Sequence, residues 1–384
     1  MRAEVVVVDV EPGEDSTAAF VAAWSRDARV LPIARSMPCV TKAAILARIQ
    51  QLRVEPSAGL ILATSGSSGV PRLIDLSLEA MRASAELGAR VIPFGQGDVW
   101  HASLAPTHIG GVMILMRAHF LGGSVRFSSQ PRVWSDLEGS THVSLVAAQL
   151  ARLLDDPSPI PRSLKAIMLG GGPSAQVLHD AAVSRGLPLY SSYGMTETSS
   201  QVATGRRMVG DPATLAGPAL AGIEISINER NREILIDGPT LARGEFVDGE
   251  LVSLSRPFAT RDAGFIDELG RLHVIGRLDA MFISGGRNIH PESIERALGE
   301  LACIRAACVV GVPHAKWGMR PVAFIDFAST PTETLTALLR DRLDSYLIPD
   351  AFFVMPPDEA ARMKASRAAL SERLAAGEKF EVVT

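Results

Sequence analysis

The sequence predicts an α/β protein with a large N-terminal domain and a small α+β C-terminal domain. In the first half of the chain, short apolar runs typical of buried strands alternate with stretches of helical period, which favours parallel-sheet layers. From Ala221 the pattern changes to short β runs between Gly, Asp and Asn turns, which indicates a small antiparallel β subdomain. Another set of strands and helices follows, so we expect domains at 1–278 and 280–384.

Length and composition favour a folded protein with a large, mainly aliphatic core, because 47% of 384 residues are hydrophobic and only 5% are aromatic. The formal net charge of −4 gives no overall attraction to nucleic acid or anionic lipid. No apolar run approaches the roughly 18 residues of a membrane span. The three cysteines lack metal-ligand spacing and fit a reducing cytosol. We expect a cytoplasmic protein without nucleic-acid or membrane partners; a homodimer stays open.

The individual elements follow from apolar periodicity and turn residues. Ser77 fits a helix N-cap, because Ala80 and Leu87 after it share one helical face. In the large domain the pattern predicts elements over 4–8, 17–26, 42–52, 60–63, 98–106, 112–121, 124–127, 143–153, 165–169, 175–184 and 187–191. In the antiparallel subdomain it predicts strands over 224–227, 233–236, 250–254 and 272–275. In the small domain it predicts elements over 292–298, 306–312, 322–327, 332–343 and 352–355, then a short cationic helix over 364–370.

The loop after the strand at 60–63 carries the first functional signal. Its residues are all small, so their backbone N–H groups and hydroxyls can approach a phosphate: Thr64, Ser65, Gly66, Ser67, Ser68 and Gly69. Arg72 adds a fixed positive charge. The Gly-Lys-Ser/Thr of a Walker A motif is missing. Taken alone, the loop also fits a Ser/Gly-rich surface linker.

Three more stretches lie where ligands are commonly bound. The run Gly170-Gly-Gly-Pro-Ser174 follows a predicted strand and opens a helix, which suits either a flat ring against the backbone or a plain turn with a helix cap. The run Tyr193-Gly-Met-Thr-Glu197 also follows a predicted strand. His108 precedes two glycines that would allow close approach of a ligand, although a structural hydrogen bond is the alternative.

Together these stretches resemble the adenylate-forming superfamily of acyl-CoA synthetases, adenylation domains and luciferases, over residues 60 to about 370. Residues 64–72 resemble its phosphate loop, which usually ends in lysine. Residues 193–197 match its adenine- and magnesium-binding motif, and Thr260-Arg-Asp262 with Arg277 matches its ribose-binding aspartate and arginine. The resemblance implies a mobile small domain with a hinge at Asp279.

Within the superfamily, five segments are similar to the o-succinylbenzoate–CoA ligase group of menaquinone synthesis: His108-Ile-Gly-Gly111, Leu169-Gly-Gly-Gly-Pro173, Tyr193-Gly-Met-Thr-Glu-Thr-Ser-Ser-Gln201, Phe258-Ala-Thr-Arg-Asp262 and Ile283-Ser-Gly-Gly286. Two departures stand out. The segment before the phosphate loop is shorter than in most relatives, and Met363 replaces the usual glycine before Lys364. The downstream Ser366-Arg367 still supports Lys364 as the counterpart of the family's C-terminal lysine.

The resemblance implies an ATP-dependent acid–CoA ligase that forms an acyl-adenylate and then a thioester, with ATP, Mg²⁺ and CoA as ligands. Since adenylation brings two anions together, cations and donors are needed where they meet. The implied catalytic residues are Thr196 at the α-phosphate, Glu197 on Mg²⁺, Lys364 between carboxylate and α-phosphate, and His108. Asp262 and Arg277 would bind the ribose. The other candidate cofactor contacts are Gly171, Gly172, Pro173, Tyr193, Gly194, Gly285 and Gly286, and the candidate acid contacts are His108, Ser199, Ser200 and Gln201.

Two other functions stay open at this point. One is a ligase for another aryl or keto acid, delivering its product to CoA or to a carrier protein. The other is a non-catalytic nucleotide-binding homologue, which the short N-terminal segment, Arg72 and Met363 favour and which Glu197, Asp262 and Lys364 argue against. The sequence leaves the acyl group undecided, because the shape of a pocket depends on side chains distant in sequence.

Overall fold

The computed structural model describes residues 4–11, 14–64, 71–128, 130–331, 333–360 and 365–383. Five residues of the predicted phosphate loop and the predicted catalytic lysine lie outside the described residues: Ser65, Gly66, Ser67, Ser68, Gly69 and Lys364. Within the described ranges, no helix has both the length and the apolar character needed to cross a membrane.

Strands and helices alternate through the large domain, and strands dominate from residue 200 to residue 289. The strands are β1 (Val5–Val10), β2 (Arg29–Ala34), β3 (Gly59–Thr64), β4 (Arg72–Ser77), β5 (Val99–His101), β6 (Ser124–Arg126), β7 (His142–Leu145), β8 (Ala166–Leu169), β9 (Leu189–Met195), β10 (Ser200–Arg206), β11 (Leu215–Pro218), β12 (Glu224–Ile227), β13 (Glu233–Asp237), β14 (Gly244–Val247), β15 (Glu250–Ser253), β16 (Phe258–Ile266), β17 (Arg271–Arg277), β18 (Phe282–Ser284), β19 (Arg287–Ile289), β20 (Ile304–His314), β21 (Gly318–Phe327) and β22 (Ala351–Val354). The α-helices are α1 (Thr17–Trp24), α2 (Cys39–Ile49), α3 (Leu78–Ala89), α4 (Ile109–Leu121), α5 (Ala147–Asp155), α6 (Gln176–Ser184), α7 (Pro291–Gly299), α8 (Leu335–Leu339), α9 (Pro357–Ala360) and α10 (Arg367–Ala375).

Two sheets form most of the large domain: a mixed sheet in the order β1-β2-β3-β4-β14-β15, parallel only from β1 to β3, and a mainly parallel sheet in the order β10-β9-β8-β7-β5-β6. A third, antiparallel sheet has the order β11-β17-β16-β13-β12, and the small domain has the order β19-β18-β21-β20 with β22 beside β21. Helices α3 and α4 pack on the first sheet, where Leu62 and Ile74 share a buried core with Met81 and Val112. This confirms the predicted fold class, and the predicted N-cap is also confirmed, because Ser77 Oγ accepts from the Ala80 N–H at 3.0 Å.

One of the four strands predicted for the antiparallel subdomain lies in another sheet, and two strands of the observed antiparallel sheet, β11 and β16, were not predicted. The run at 250–254 forms β15, which pairs with β14, and β14 pairs antiparallel with β4. The hairpin therefore extends the first sheet instead of joining β12, β13, β16 and β17. The physical reason is that β4 would otherwise present an unpaired edge, which β14 covers.

Other boundaries also differ from the prediction. The stretch 143–153 is divided between strand β7 and helix α5, and the helix predicted over 332–343 is confined to α8. The C-terminal cationic helix begins only at Arg367, because Ser366 Oγ accepts from the Ala369 N–H at 3.3 Å and caps it there. The small domain has its own core, built on Ile294, Val309 and Ala323. The hinge at Asp279 stays a prediction.

Candidate functional site

Asp262 lies at the centre of a buried polar cluster between two antiparallel strands. It pairs with Arg277 in the register of β16 and β17, and its Oδ1 is 3.3 Å from Arg277 Nη1. Tyr193 Oη donates to Asp262 Oδ2 at 2.7 Å. Burial raises the pKa of Asp262, while the Tyr193 hydroxyl and Arg277 act in the opposite direction. Because each carboxylate oxygen can accept more than one hydrogen bond, Asp262 keeps acceptor capacity for two vicinal hydroxyls.

The stretch that contains Tyr193 folds back sharply between β9 and β10. Tyr193, Gly194 and Met195 belong to β9 itself, so the prediction that they follow a strand was wrong. A Cβ at Gly194 would lie 1.7 Å from the Ser200 carbonyl oxygen, so this glycine is required by the chain's own backbone. Ser199 and Ser200 after the turn both have positive φ, at 50° and 88°. Such strain in buried non-glycine residues marks a turn whose geometry the surroundings impose.

Glu197 lies in that turn, and Arg72 holds one of its oxygens. Arg72 Nη1 donates to Glu197 Oε1 at 2.8 Å, while Arg72 Nε and Nη2 donate to Glu245 Oε2 at 2.9 and 2.6 Å. These contacts raise the pKa of Arg72, the hydrogen bond to Glu245 most of all. No described residue donates to Glu197 Oε2. The predicted phosphate loop begins at Thr64. This residue lies opposite Arg72 in the register of β3 and β4, and its Oγ1 is buried without a described partner.

The donor set fits a magnesium ion that takes most of its ligands from phosphates and water. Within the described ranges, no group of three or more His, Cys, Asp or Glu residues is arranged to hold a metal. Mg²⁺ in nucleotide sites is commonly bound by one or two carboxylates together with substrate phosphates. Glu197, whose Oε1 accepts from Arg72 and whose Oε2 accepts from no described residue, supplies one such carboxylate.

His108 lies at the N-cap of α4 and is exposed. Desolvation by the surrounding protein atoms nevertheless lowers the pKa of His108, which favours the neutral imidazole. The expectation that both following glycines make room for a ligand was wrong for Gly111, because a Cβ there would lie 2.1 Å from the Ala105 carbonyl oxygen. No described hydrogen bond joins His108 to Ser199, Ser200 or Gln201, which were expected to share a ligand with it.

The residue of α4 that meets Gln201 is Arg117, about 13 Å along the helix axis from His108. Arg117 Nη2 donates to Gln201 Oε1 at 2.9 Å, and its guanidinium lies 4.9 Å from the centre of the Trp100 ring. Arg117 is 2% exposed, its Nη1 is buried without a described partner, and no described carboxylate lies within salt-bridge distance. Burial lowers the pKa of Arg117 to about 10, so it remains a cation at neutral pH.

Sequence reasoning missed Arg117, although one signal was present. The long helix predicted over 112–121 is apolar apart from Arg117 and His119, and an arginine in a buried helix needs a counter-ion. The neighbouring Gln201 is held on its other side by α3, where a Cβ at Gly88 would lie 2.5 Å from Gln201 Nε2.

The remaining candidate residues lie in two separate loops. Gly171, Gly172 and Pro173 form an exposed loop between β8 and α6, with Gly171 at a φ of 85°, which leaves backbone open to a flat ring. Gly285 and Gly286 form the turn between β18 and β19 in the small domain, with φ values of 56° and 79°. Gly285 and Gly286 therefore belong to a different sheet from Tyr193 and Asp262, and no described hydrogen bond joins the two pairs.

Comparisons with known proteins give a consistent result. The model of a family described as AMP-binding enzyme matches residues 4–247, and its C-terminal domain model matches residues 293–361. The 2-succinylbenzoate–CoA ligase of Salmonella typhimurium is 35% identical over 80% of this chain and 67% of its own length, and that of Escherichia coli is 34% identical with the same coverage. A solved structure of E. coli MenE with bound OSB-AMS superposes with a TM-score of 0.83 at 28% identity, over 97% of this chain and 88% of the other.

Proposed function

This chain belongs to the AMP-binding enzyme family, and we propose that it is an ATP-dependent, AMP-forming ligase that joins o-succinylbenzoate to CoA. The observation that supports this acid most directly is the buried Arg117–Gln201 pair beside the Glu197 turn. A guanidinium that is buried without a carboxylate partner is costly, and an anionic substrate group removes that cost. An acid with a second, distal carboxylate offers such a group while its first carboxylate reacts.

The described residues have distinct roles in this proposal. Asp262, oriented by Tyr193 and Arg277, accepts hydrogen bonds from the ribose hydroxyls. The open backbone at 171–173 lies against the adenine ring. Thr196 donates to the α-phosphate, and Glu197 would hold a Mg²⁺ ion, which would supply positive charge at the phosphates. Lys364, outside the described residues, neutralises the charge that builds as the acid carboxylate attacks the α-phosphorus and pyrophosphate leaves.

The CoA thiolate then attacks the acyl carbon, and AMP departs. Gly285 and Gly286 are proposed as further cofactor contacts.

The acid can be identified by measuring pyrophosphate release across a panel of carboxylic acids, with and without CoA. We expect o-succinylbenzoate to give the highest kcat/KM, because benzoate lacks the second carboxylate that would pair with Arg117. Monocarboxylic aryl acids outperforming o-succinylbenzoate would reject this assignment. If pyrophosphate is released equally with and without CoA and no CoA thioester forms, delivery of the acyl group to a carrier protein is favoured. If no acid causes pyrophosphate release, a non-catalytic nucleotide-binding protein is favoured.

Arg117→Met tests the same assignment from the protein side. We expect KM for o-succinylbenzoate to rise roughly 10- to 100-fold, the effect of losing a charged hydrogen bond, with KM for ATP unchanged. The free energy of unfolding should stay the same or increase, because the variant removes a buried charge that has no carboxylate partner. Arg82→Met is the matched control: it removes an arginine 4.4 Å from the Phe120 ring and should change neither constant. Equal KM changes for acid and ATP would contradict the role.

We also propose that the large domain ends near 278 and that the small domain turns about Asp279. Asp279 accepts from Arg277 Nε and Nη2 at 2.9 and 2.6 Å, which lowers the pKa of Asp279 and holds this segment in one arrangement. Rotation there would let one site serve two half-reactions.

Asp279→Pro should leave adenylation measurable and slow thioester formation, because proline restricts φ at the hinge. Asp279→Asn is the control, since it weakens the ion pair with Arg277 without restricting the backbone, and it should retain both steps. The two steps are separated by measuring acyl-adenylate formation and thioester formation from pre-formed acyl-adenylate. An equal loss of both in the proline variant would refute a hinge at this position.

A further inference from the structure

Glu245 is a carboxylate beside the candidate site that belongs to none of the motifs recognised in the sequence. On β14 it pairs with Ile74 of β4, and Arg72 lies two residues before Ile74 on the same face of that strand. Residues in this diagonal relation across two strands are within reach of each other when both side chains are long. The antiparallel hairpin that extends the first sheet is therefore what brings Glu245 to Arg72.

The contacts of Arg72 divide its guanidinium between two carboxylates. Glu245 Oε2 accepts from both Nε and Nη2, which leaves Nη1 alone to reach Glu197 Oε1 at 2.8 Å. A guanidinium with two neighbouring N–H donors available commonly binds both oxygens of one carboxylate. With its fork engaged by Glu245, Arg72 contacts only one oxygen of Glu197.

We propose that Glu245 is a positioning residue for metal-dependent ATP binding, which keeps Arg72 from occupying both oxygens of Glu197. This inference rests on the proposed role of Glu197 as the carboxylate that holds Mg²⁺. Two carboxylates and one guanidinium carry a net charge of minus one, which attracts a divalent cation. Without Glu245 the remaining pair is neutral, and the freed fork of Arg72 competes with the metal for Glu197.

A purely structural role for Glu245 makes a different prediction. The side chains of Arg72 and Glu245 are 39% and 25% exposed, and ion pairs of this kind contribute little to stability. A structural role would therefore leave nucleotide binding unchanged, or would weaken it equally with and without metal. The dependence of binding on Mg²⁺ concentration is the property that separates the two roles.

The test is calorimetric titration of a non-hydrolysable ATP analogue into the full chain at a series of MgCl₂ concentrations, without acid or CoA. For Glu245→Gln we expect the half-saturating Mg²⁺ concentration to rise roughly fivefold, the upper range for one partly exposed charge. Binding of the analogue in the absence of Mg²⁺ should be unchanged or tighter. Glu250→Gln is the matched control, because it removes a carboxylate of β15 that pairs with Arg53 at 2.6 Å and does not contact Arg72.

A second variant gives a result that a general disturbance of the sheet would not give. Lysine has no fork and cannot bind both oxygens of Glu197, so Arg72→Lys combined with Glu245→Gln should restore the Mg²⁺ requirement towards that of the wild type. An unchanged Mg²⁺ dependence in Glu245→Gln would overturn the inference, as would a double variant as impaired as the single one. If the wild-type protein binds the analogue with no dependence on Mg²⁺, the proposed role of Glu197 fails as well.

Discussion

Glu197→Gln is expected to reduce pyrophosphate release by about 10²-fold or more, the effect typical of losing one group that stabilises charge in the transition state. The substitution keeps the shape of the side chain and replaces the anionic Oε2 with a neutral amide atom, which Mg²⁺ binds poorly. AMP carries no β- or γ-phosphate and depends less on the metal, so its affinity should change much less. The measurement is steady-state pyrophosphate release beside a binding titration with AMP.

The structure indicates that this loss would not come from misfolding. Arg72 keeps its two hydrogen bonds to Glu245 when the charge at Glu197 is removed, and the backbone carbonyl of Glu197 still accepts from the Ala242 N–H. The melting temperature of Glu197→Gln should therefore stay close to that of the wild type. Glu224→Gln, an exposed carboxylate on β12, serves as the control and should retain full turnover. Near-normal turnover of Glu197→Gln would mean that the metal is held elsewhere.

The features that the sequence predicted correctly are those formed by residues close in sequence. Asp262 and Arg277 were selected by family resemblance, and the structure pairs them across β16 and β17, although neither lies in a strand predicted from the sequence. The fold class was likewise predictable, because alternating apolar periods report strands and helices directly. Such patterns depend on residues close in sequence, so they can be recognised without knowing the tertiary structure.

The parts that were missed depend on contacts between distant segments. Glu245 meets Arg72 only because β14 joins the first sheet, and the sequence pattern did not predict β14 and assigned the following run, 250–254, to the antiparallel subdomain. Arg117 meets Gln201 only because α4 packs beside β10. The apolar sequence around Arg117 is typical of a buried helix, but only the structure shows that Arg117 is buried and that no described carboxylate pairs with it.

Three cations of the C-terminal segment, Arg362, Lys364 and Arg367, lie close enough in sequence to serve adenylation. Lys364 and Arg362 lie outside the described residues. Arg367 is described, and each of its three guanidinium nitrogens has a partner. Its Nη2 donates to Glu295 Oε1 at 2.7 Å, its Nε donates to the Val309 carbonyl at 2.9 Å, and its Nη1 lies 3.1 Å from Glu292 Oε1. On the other side, the Ser366 N–H donates to Glu359 Oε2 at 2.6 Å. The described residues that follow Lys364 are thus anchored to α7 and α9, and two carboxylates already compensate the charge of Arg367.

Lys364→Ala should therefore lose about 10²-fold or more in acyl-adenylate formation, because attack of a carboxylate on a phosphate builds negative charge between groups that already repel. A flexible ammonium can follow that charge and can leave when the small domain turns. Given pre-formed acyl-adenylate and CoA, the same variant should form thioester at close to the normal rate, which separates loss of a first-step group from general damage. Arg367→Ala is the contrasting variant: we expect it to lower the melting temperature by breaking the anchor to Glu292 and Glu295 and to affect both steps alike. If Lys364→Ala adenylates normally while Arg362→Ala or Arg367→Ala loses the first step alone, Lys364 is not the lysine that serves adenylation.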